Sequence, residues 1–321
     1  MVKAIASAGS REGAGALWSA RLRGLLDIRY LTLLSVVATY ALIVLGGTVR
    51  ATDSGLACPD WPRCHGQIIP PLETSILIEY SHRLAAATVG LILAGTAAVA
   101  WLWHRENRLV VTGASVAVAV VFVQALVGGV TVNMELPDTI VALHLAIALI
   151  LLAVLVTTAV GAFWRGGSRA STPDGDVSKL LAATALATLA LILIGSYVAN
   201  AEAALVYPDW PLFDGKLVSA GGRLADLHYA HRLMAALVGL LLVAVIVRAR
   251  RREPPAVVAA LALALILYLA EVFVGAGNIW FELASEVRVA HLAIASAIWV
   301  ALVFALAWGW AERRGLSEGS E

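Results

Sequence analysis

Apolar residues gather along this chain in eight long, nearly uninterrupted runs, at roughly 30–49, 76–103, 109–130, 138–163, 179–199, 227–247, 255–276 and 287–310. A one-sided apolar stripe would suit a helix on a soluble core. A run of about 20 apolar residues instead matches the hydrocarbon thickness of a bilayer. In lipid each backbone must bond within its own segment, so every run predicts a membrane-spanning helix. The alternating segments of a membrane barrel are absent. Composition agrees: hydrophobic residues make up 60% of the 321 and charged residues 14%, against about a quarter charged in a soluble domain. The expected fold class is an all-α integral membrane protein of eight transmembrane helices, with membrane lipid as its solvent.

The runs repeat. Pro59-Asp60-Trp61-Pro62 returns as Pro208-Asp209-Trp210-Pro211, and Tyr80-Ser81-His82-Arg83-Leu84 returns as Tyr229-Ala230-His231-Arg232-Leu233, both at an offset of 149. At an offset of 147, His144-Leu145-Ala146 falls on His291-Leu292-Ala293 and Gly128 on Gly275. Three matches in order predict a duplication into two tandem four-helix bundles, 30–165 and 179–312, with a cytoplasmic linker at 166–178. Each half has an even number of helices, so the halves keep one orientation. They should be related by a pseudo-two-fold axis along the membrane normal.

Charge sets the expected orientation. Of the 23 Lys and Arg residues, 16 fall in the N-terminal tail (1–29), the alternate connections and the C-terminal tail (313–321). The positive-inside rule therefore predicts a multi-pass cell-membrane protein with both termini cytoplasmic. The polar stretch 1–28 lacks an apolar core followed by a cleavage site and reads as tail, not signal peptide. A net charge of +1, without a basic tract interleaved with aromatics, gives no indication of nucleic-acid binding.

Of seven histidines, His65 and His104 fall in connections and read as solvated surface. His82, His144, His231 and His291 fall inside membrane runs at repeat-equivalent positions. Ionisable groups there are costly and mark function, although a histidine can also bond across a helix pair as polar glue. Each lies roughly 10 Å from the outer end of its helix at 1.5 Å per residue. Each half thus offers two imidazoles at one level from non-adjacent helices, a geometry that suits a flat macrocycle with axial nitrogens on both sides, namely a haem. Zinc would be short of ligands. A proton relay would not require matched depth. Arg83 and Arg232 follow two of these histidines and either pair with haem propionates or snorkel to the interface.

The halves differ in their reactive groups. Glu79 shares a helix face with His82, three residues on, whereas the equivalent position is His228. Arg50, Asp53, Cys58, Cys64 and His65 correspond to Ala199, Glu202, Tyr207, Phe213 and Asp214. The pattern suggests a reaction site in the first half and a permanent electron-transfer haem in the second. Glu79 is either a proton shuttle or a solvated residue at the helix mouth. His228 reads as an interfacial histidine. Cys58 and Cys64 share the first outer loop, where an oxidising compartment permits either a structural staple or a redox-active pair. Trp61 and Trp210 are interfacial belt residues or roof the pocket. Gln124 and its equivalent Glu271 read as packing residues.

The stretch Gly46-Gly47-Thr48-Val49-Arg50-Ala51-Thr52-Asp53-Ser54-Gly55, then Cys58-Pro59-Asp60-Trp61-Pro62-Arg63-Cys64-His65-Gly66, with Glu79-Tyr80-Ser81-His82-Arg83, resembles the haem A synthase family over about 30–310. The resemblance implies an oxidoreductase that converts the C8 methyl of haem O to a formyl group, giving haem A for terminal oxidases. It implies a haem b on His231 and His291, substrate haem O on His82 and His144, Glu79 as the essential carboxylate, and Cys58 with Cys64 as the outer-loop pair. Some members carry a second pair, where this chain has Tyr207 and Phe213. Expected partners are haem O synthase, terminal oxidase assembly and an unidentified electron carrier. A b-type electron-transfer subunit is the alternative, but it gives no reason for Glu79 and the cysteines to occur in one half alone. A parallel-repeat transporter would carry its polar residues at the midplane.

Overall fold

A computed structural model describes residues 27–164, 175–219 and 221–318. It contains eight helices among these residues: α1 (Ile28–Ala51), α2 (Thr74–Trp103), α3 (Arg108–Asn133), α4 (Asp138–Phe163), α5 (Gly175–Asn200), α6 (Arg223–Ala249), α7 (Pro255–Trp280) and α8 (Ser285–Glu318). All eight are long and apolar enough to cross a membrane.

Their ends follow local chemistry. Asp27 accepts the Arg29 N–H at 2.9 Å at the start of α1, and Asn107 accepts the Val110 N–H at 3.2 Å at the start of α3, which satisfies donors a helix N-terminus leaves open. Pro255 opens α7, where a missing N–H removes nothing. The turns after α3 and α7 have positive φ at Glu135 and Leu136 and again at Glu282 and Leu283. α5 begins at Gly175, within the stretch expected to be linker; Asp176 and Lys179 pair on its exposed first turn, so polar residues continue the helix beyond the apolar run. α8 likewise continues past the expected boundary at 312. The rest of the linker, most of the N-terminal tail and residues 319–321 lie outside the described residues.

Helices α1 to α4 touch in a closed ring, as do α5 to α8, while α2 and α4 do not touch each other, nor do α6 and α8. The four membrane histidines ride on these diagonal helices. Between the halves α4 packs on α8, with α1 against α8 and α5 against α4. This seam is the main core, with Leu149, Leu152 and Val156 of α4 meeting Trp299 and Leu302 of α8. The Trp299 indole donates to the Leu149 carbonyl at 2.9 Å, which keeps a polar atom satisfied inside the bilayer. Large side chains such as Leu91, Phe122, Leu240 and Ile266 face outward, as lipid contact requires. The long connections at 52–73 and 201–222 lie at one end of the bundles, here called the loop end.

Candidate functional site

Each membrane histidine turns its ring onto a glycine of the preceding helix. A Cβ on Gly46 (α1) would lie 3.1 Å from Cε1 of His82. One on Gly128 (α3) would lie 3.1 Å from His144, one on Gly195 (α5) 2.8 Å from His231, and one on Gly275 (α7) 3.1 Å from His291. The approach is close enough that a Cβ at Gly195 would force a shift, and one at Gly46, Gly128 or Gly275 would make the ring give by a few tenths of an ångström. The Nδ1 atoms of His82 and His144 are buried without a hydrogen-bond partner among the described residues. The His231 and His291 rings stand 6.5 Å apart between centroids, at 73°. Two imidazoles binding one metal from opposite sides, at a metal–nitrogen distance of about 2 Å, have centroids about 6 Å apart. The second pair therefore fits bis-histidine ligation of a haem.

Glu271 on α7 puts Oε1 3.1 Å from Nδ1 of His291. Its repeat counterpart Gln124 behaves differently, donating from Nε2 to the His144 carbonyl at 2.9 Å. Glu271 therefore does more than pack. A carboxylate this near one imidazole nitrogen orients the ring and leaves the other nitrogen for a metal, although at 3.1 Å no hydrogen bond closes between Glu271 and His291 Nδ1. Its role was missed because the sequence offers only an isolated acid aligned with a neutral amide.

At the loop end the first connection folds onto α2. Asp60 accepts the His65 and Gly66 N–H groups at 2.5 and 2.9 Å. The Gly66 N–H foremost, with that of His65, holds the Asp60 carboxyl below the usual carboxylate range. Cys58 and Cys64 are disulfide-bonded, with Cα atoms 4.7 Å apart. Beneath them Glu79, only 3% exposed, accepts the Cys58 N–H on Oε2 at 2.7 Å and pairs with Arg83 through Oε1. It is not the solvated helix-mouth residue that was one expectation. Arg83 also donates to the carbonyls of Asp60 (2.5 Å), Arg63 (2.6 Å) and Cys58 (2.9 Å). Its Nη donors are thus used on the loop and on Glu79. Trp61 lies over Gly129, where a Cβ would come within 2.9 Å of its ring, one residue from the seat of His144. His65, exposed, brings Nε2 to 2.9 Å from the Ala57 carbonyl, and His104 lies 4.0 Å from Glu106.

The second connection repeats this backbone with other chemistry. Asp209 accepts the Asp214 and Gly215 N–H groups at 2.7 and 2.9 Å. Where the disulfide stood, Tyr207 and Phe213 meet edge to face at 5.2 Å. His228, in the place of Glu79, is buried and accepts from Arg232 Nε at 3.1 Å. Arg232 donates to the Leu212 carbonyl at 2.7 Å and lies over the Phe213 ring. Its Nη2 is buried without a hydrogen-bond partner among the described residues, which leaves a donor for an anionic group. Trp210 stacks edge to face on Trp280.

A family model described as cytochrome oxidase assembly protein, COX15-CtaA, matches residues 29–77 and 72–303. The chain belongs to the COX15-CtaA family. Its relatives include the haem A synthase of Halalkalibacterium halodurans, 30% identical over 229 residues, 68% of this chain and 75% of the relative. The haem A synthase of Geobacillus thermodenitrificans is 29% identical over 293 residues, 87% and 90% of the two chains. That of Exiguobacterium sibiricum is 32% identical over 193 residues, 57% of this chain and 64% of the relative, so the match spans just under two thirds of that relative. Within this COX15-CtaA chain the halves are also joined close to the histidines. Tyr40 of α1 donates to the Ala293 carbonyl at 3.0 Å, two residues from His291. Arg50 Nε donates to Asn200 at 2.9 Å, and Ser285 and Arg288 both donate to the Ala51 carbonyl. None of these bridges was legible beforehand, because each joins residues of opposite halves.

Proposed function

We propose that the first half of this chain holds haem O as substrate and the second half holds a resident haem b. Family membership makes the protein a haem A synthase, an oxidoreductase converting haem O to haem A. The single observation that carries the division of labour is the asymmetry above equivalent histidines: a buried carboxylate under a disulfide-closed loop in one half, a histidine under an aromatic cluster in the other.

His82 and His144 would hold the substrate macrocycle between α2 and α4, supported by their unpartnered Nδ1 atoms and glycine seats. His231 and His291 would hold haem b, with Glu271 orienting His291 and Arg232 Nη2 facing a propionate. The bound haem iron supplies the oxidising power that side chains lack for a methyl C–H. Glu79 holds and passes a proton at its carboxylate oxygens, one helical turn toward the loop end from His82. Arg83 is a positioning residue: it fixes Glu79 and the loop above it. The closed loop, with Trp61 beneath it, excludes water from the site. The repeated seats, turns and loops support two bundles related by a pseudo-two-fold axis along the membrane normal. The distribution of basic residues supports cytoplasmic termini and an outward loop end. Haem O synthase would supply the substrate and terminal oxidase assembly would take the product.

Co-expression with a haem O source, followed by chromatography of the haems extracted from the purified protein, tests this. Haem b with haem A is the expected result. Haem b alone, under conditions where haem O accumulates in the membrane, would assign the chain to electron transfer.

A further inference from the structure

Below the level of His82, on the lipid-facing side of the first half, α1 and α2 part to leave an apolar groove of ≈ 430 Å³, within the size range of small-molecule sites. Ala38, Ala41 and Leu45 form one wall, and Ser81, Ala85 and Thr88 begin the other. The groove runs along α2 from Ser81 to Ile92, about 16 Å at 1.5 Å per residue, close to the reach of an extended fifteen-carbon isoprenoid. It borders the histidine seat along both helices: Ser81 is next to His82 on α2, and Leu45 is next to Gly46 on α1, on which the His82 ring packs. The two hydroxyls make no demand on an occupant, because Ser81 donates to the Ile78 carbonyl and Thr88 to the Leu84 carbonyl.

The repeat supplies the second observation. On α5 the equivalent wall is nearly unchanged, with Ala187, Ala190 and Ile194. On α6, Ala85 and Thr88 are replaced by the bulkier Met234 and Leu237. Two positions of the α2 wall are thus smaller in the half assigned to haem O, although Ser81 is matched by the still smaller Ala230 in the repeat, and haem O differs from haem b by its farnesyl-derived tail.

We propose that the α1–α2 groove holds the prenyl tail of the substrate haem; this rests on His82 as a ligand of that haem. Lipid tails are as apolar as the groove, so its contribution is shape and not a hydrophobic driving force. A tail held on this side fixes the rotation of the macrocycle about its axial ligands. One methyl edge is then presented to Glu79, and the equivalent positions on the ring are not.

The test uses the full-length protein purified with haem b, titrated by absorbance with haem O and, separately, with protohaem, which lacks the tail. The double variant Ala85→Met, Thr88→Leu introduces the second-half residues. It should weaken haem O binding about tenfold and leave protohaem binding unchanged. Ala41→Leu, from the opposite wall, should give the same pattern. Unchanged haem O affinity in both variants would overturn the proposal and leave the groove to membrane lipid. An equal loss of both haems would overturn it too, by showing that these residues shape the macrocycle site. His82→Ala separates the two levels: haem O binding that survives it unchanged would remove the substrate site itself.

Discussion

Replacing Gly195 by alanine tests the haem b site through its smallest component. The new Cβ would stand 2.8 Å from Cε1 of His231. Ordinary contact begins at 3.4 Å, so the ring or helix α5 must retreat by about 0.6 Å. Metal–nitrogen distances tolerate only about 0.2 Å, so the retreat cannot be absorbed at the bond. Overpacking of this kind costs about 1–3 kcal/mol, which is roughly a five- to 140-fold loss of haem affinity. The assay is the haem b content per protein of the purified variant, read from Soret absorbance after size exclusion. Gly46→Ala is the internal control: it presses on His82 at 3.1 Å and should leave haem b in place. A Gly195→Ala protein with full haem b and an unshifted spectrum would refute ligation through a ring seated on this glycine.

His231→Ala and His291→Ala should each abolish haem b absorbance, while His82→Ala and His144→Ala retain most of it; the reverse outcome would exchange the roles of the halves. Glu79→Gln should keep haem b and the disulfide yet lower haem A at least about tenfold, since the amide cannot carry the proton. Accumulation of the singly hydroxylated haem would put the carboxylate late in the reaction, unreacted haem O early, and near-normal haem A would remove it from the mechanism. Glu271→Gln should raise the reduction potential of haem b, because an anionic neighbour makes the axial imidazole a stronger donor and favours the oxidised iron. A redox titration indistinguishable from wild type would show that the carboxylate does not act on the ring.

The membrane spans and the paired histidines were legible because both are periodic: twenty-residue apolar runs and recurrence at fixed offsets survive in one dimension. Contacts across the fold were not. For Arg83 the sequence offers a propionate partner or a snorkelling cation; it does not show that the donors close on loop carbonyls some twenty residues earlier. That loop depends on left-handed backbone at His65 and Gly66 and on Asp60 accepting their N–H groups. The contact of Glu271 with His291 is hidden for the same reason: the sequence shows an acid aligned with Gln124, and only the packing of α7 against α8 brings it to the ring. Helix α5 starts before its apolar run because Asp176 and Lys179 are polar, and polarity ends a membrane run without ending a helix.

The two connecting loops amount to a controlled comparison built into one molecule. The same backbone, with matching aspartate clasps and matching arginines beneath, is closed once by a covalent bond and once by two rings in contact. The loop shape therefore does not require the disulfide. Reducing agents can open one copy only, leaving the other as an unperturbed reference in the same membrane. Any change in the first half's pigment that the second half does not share then reports the bond itself, free of differences in expression, lipid or folding between samples.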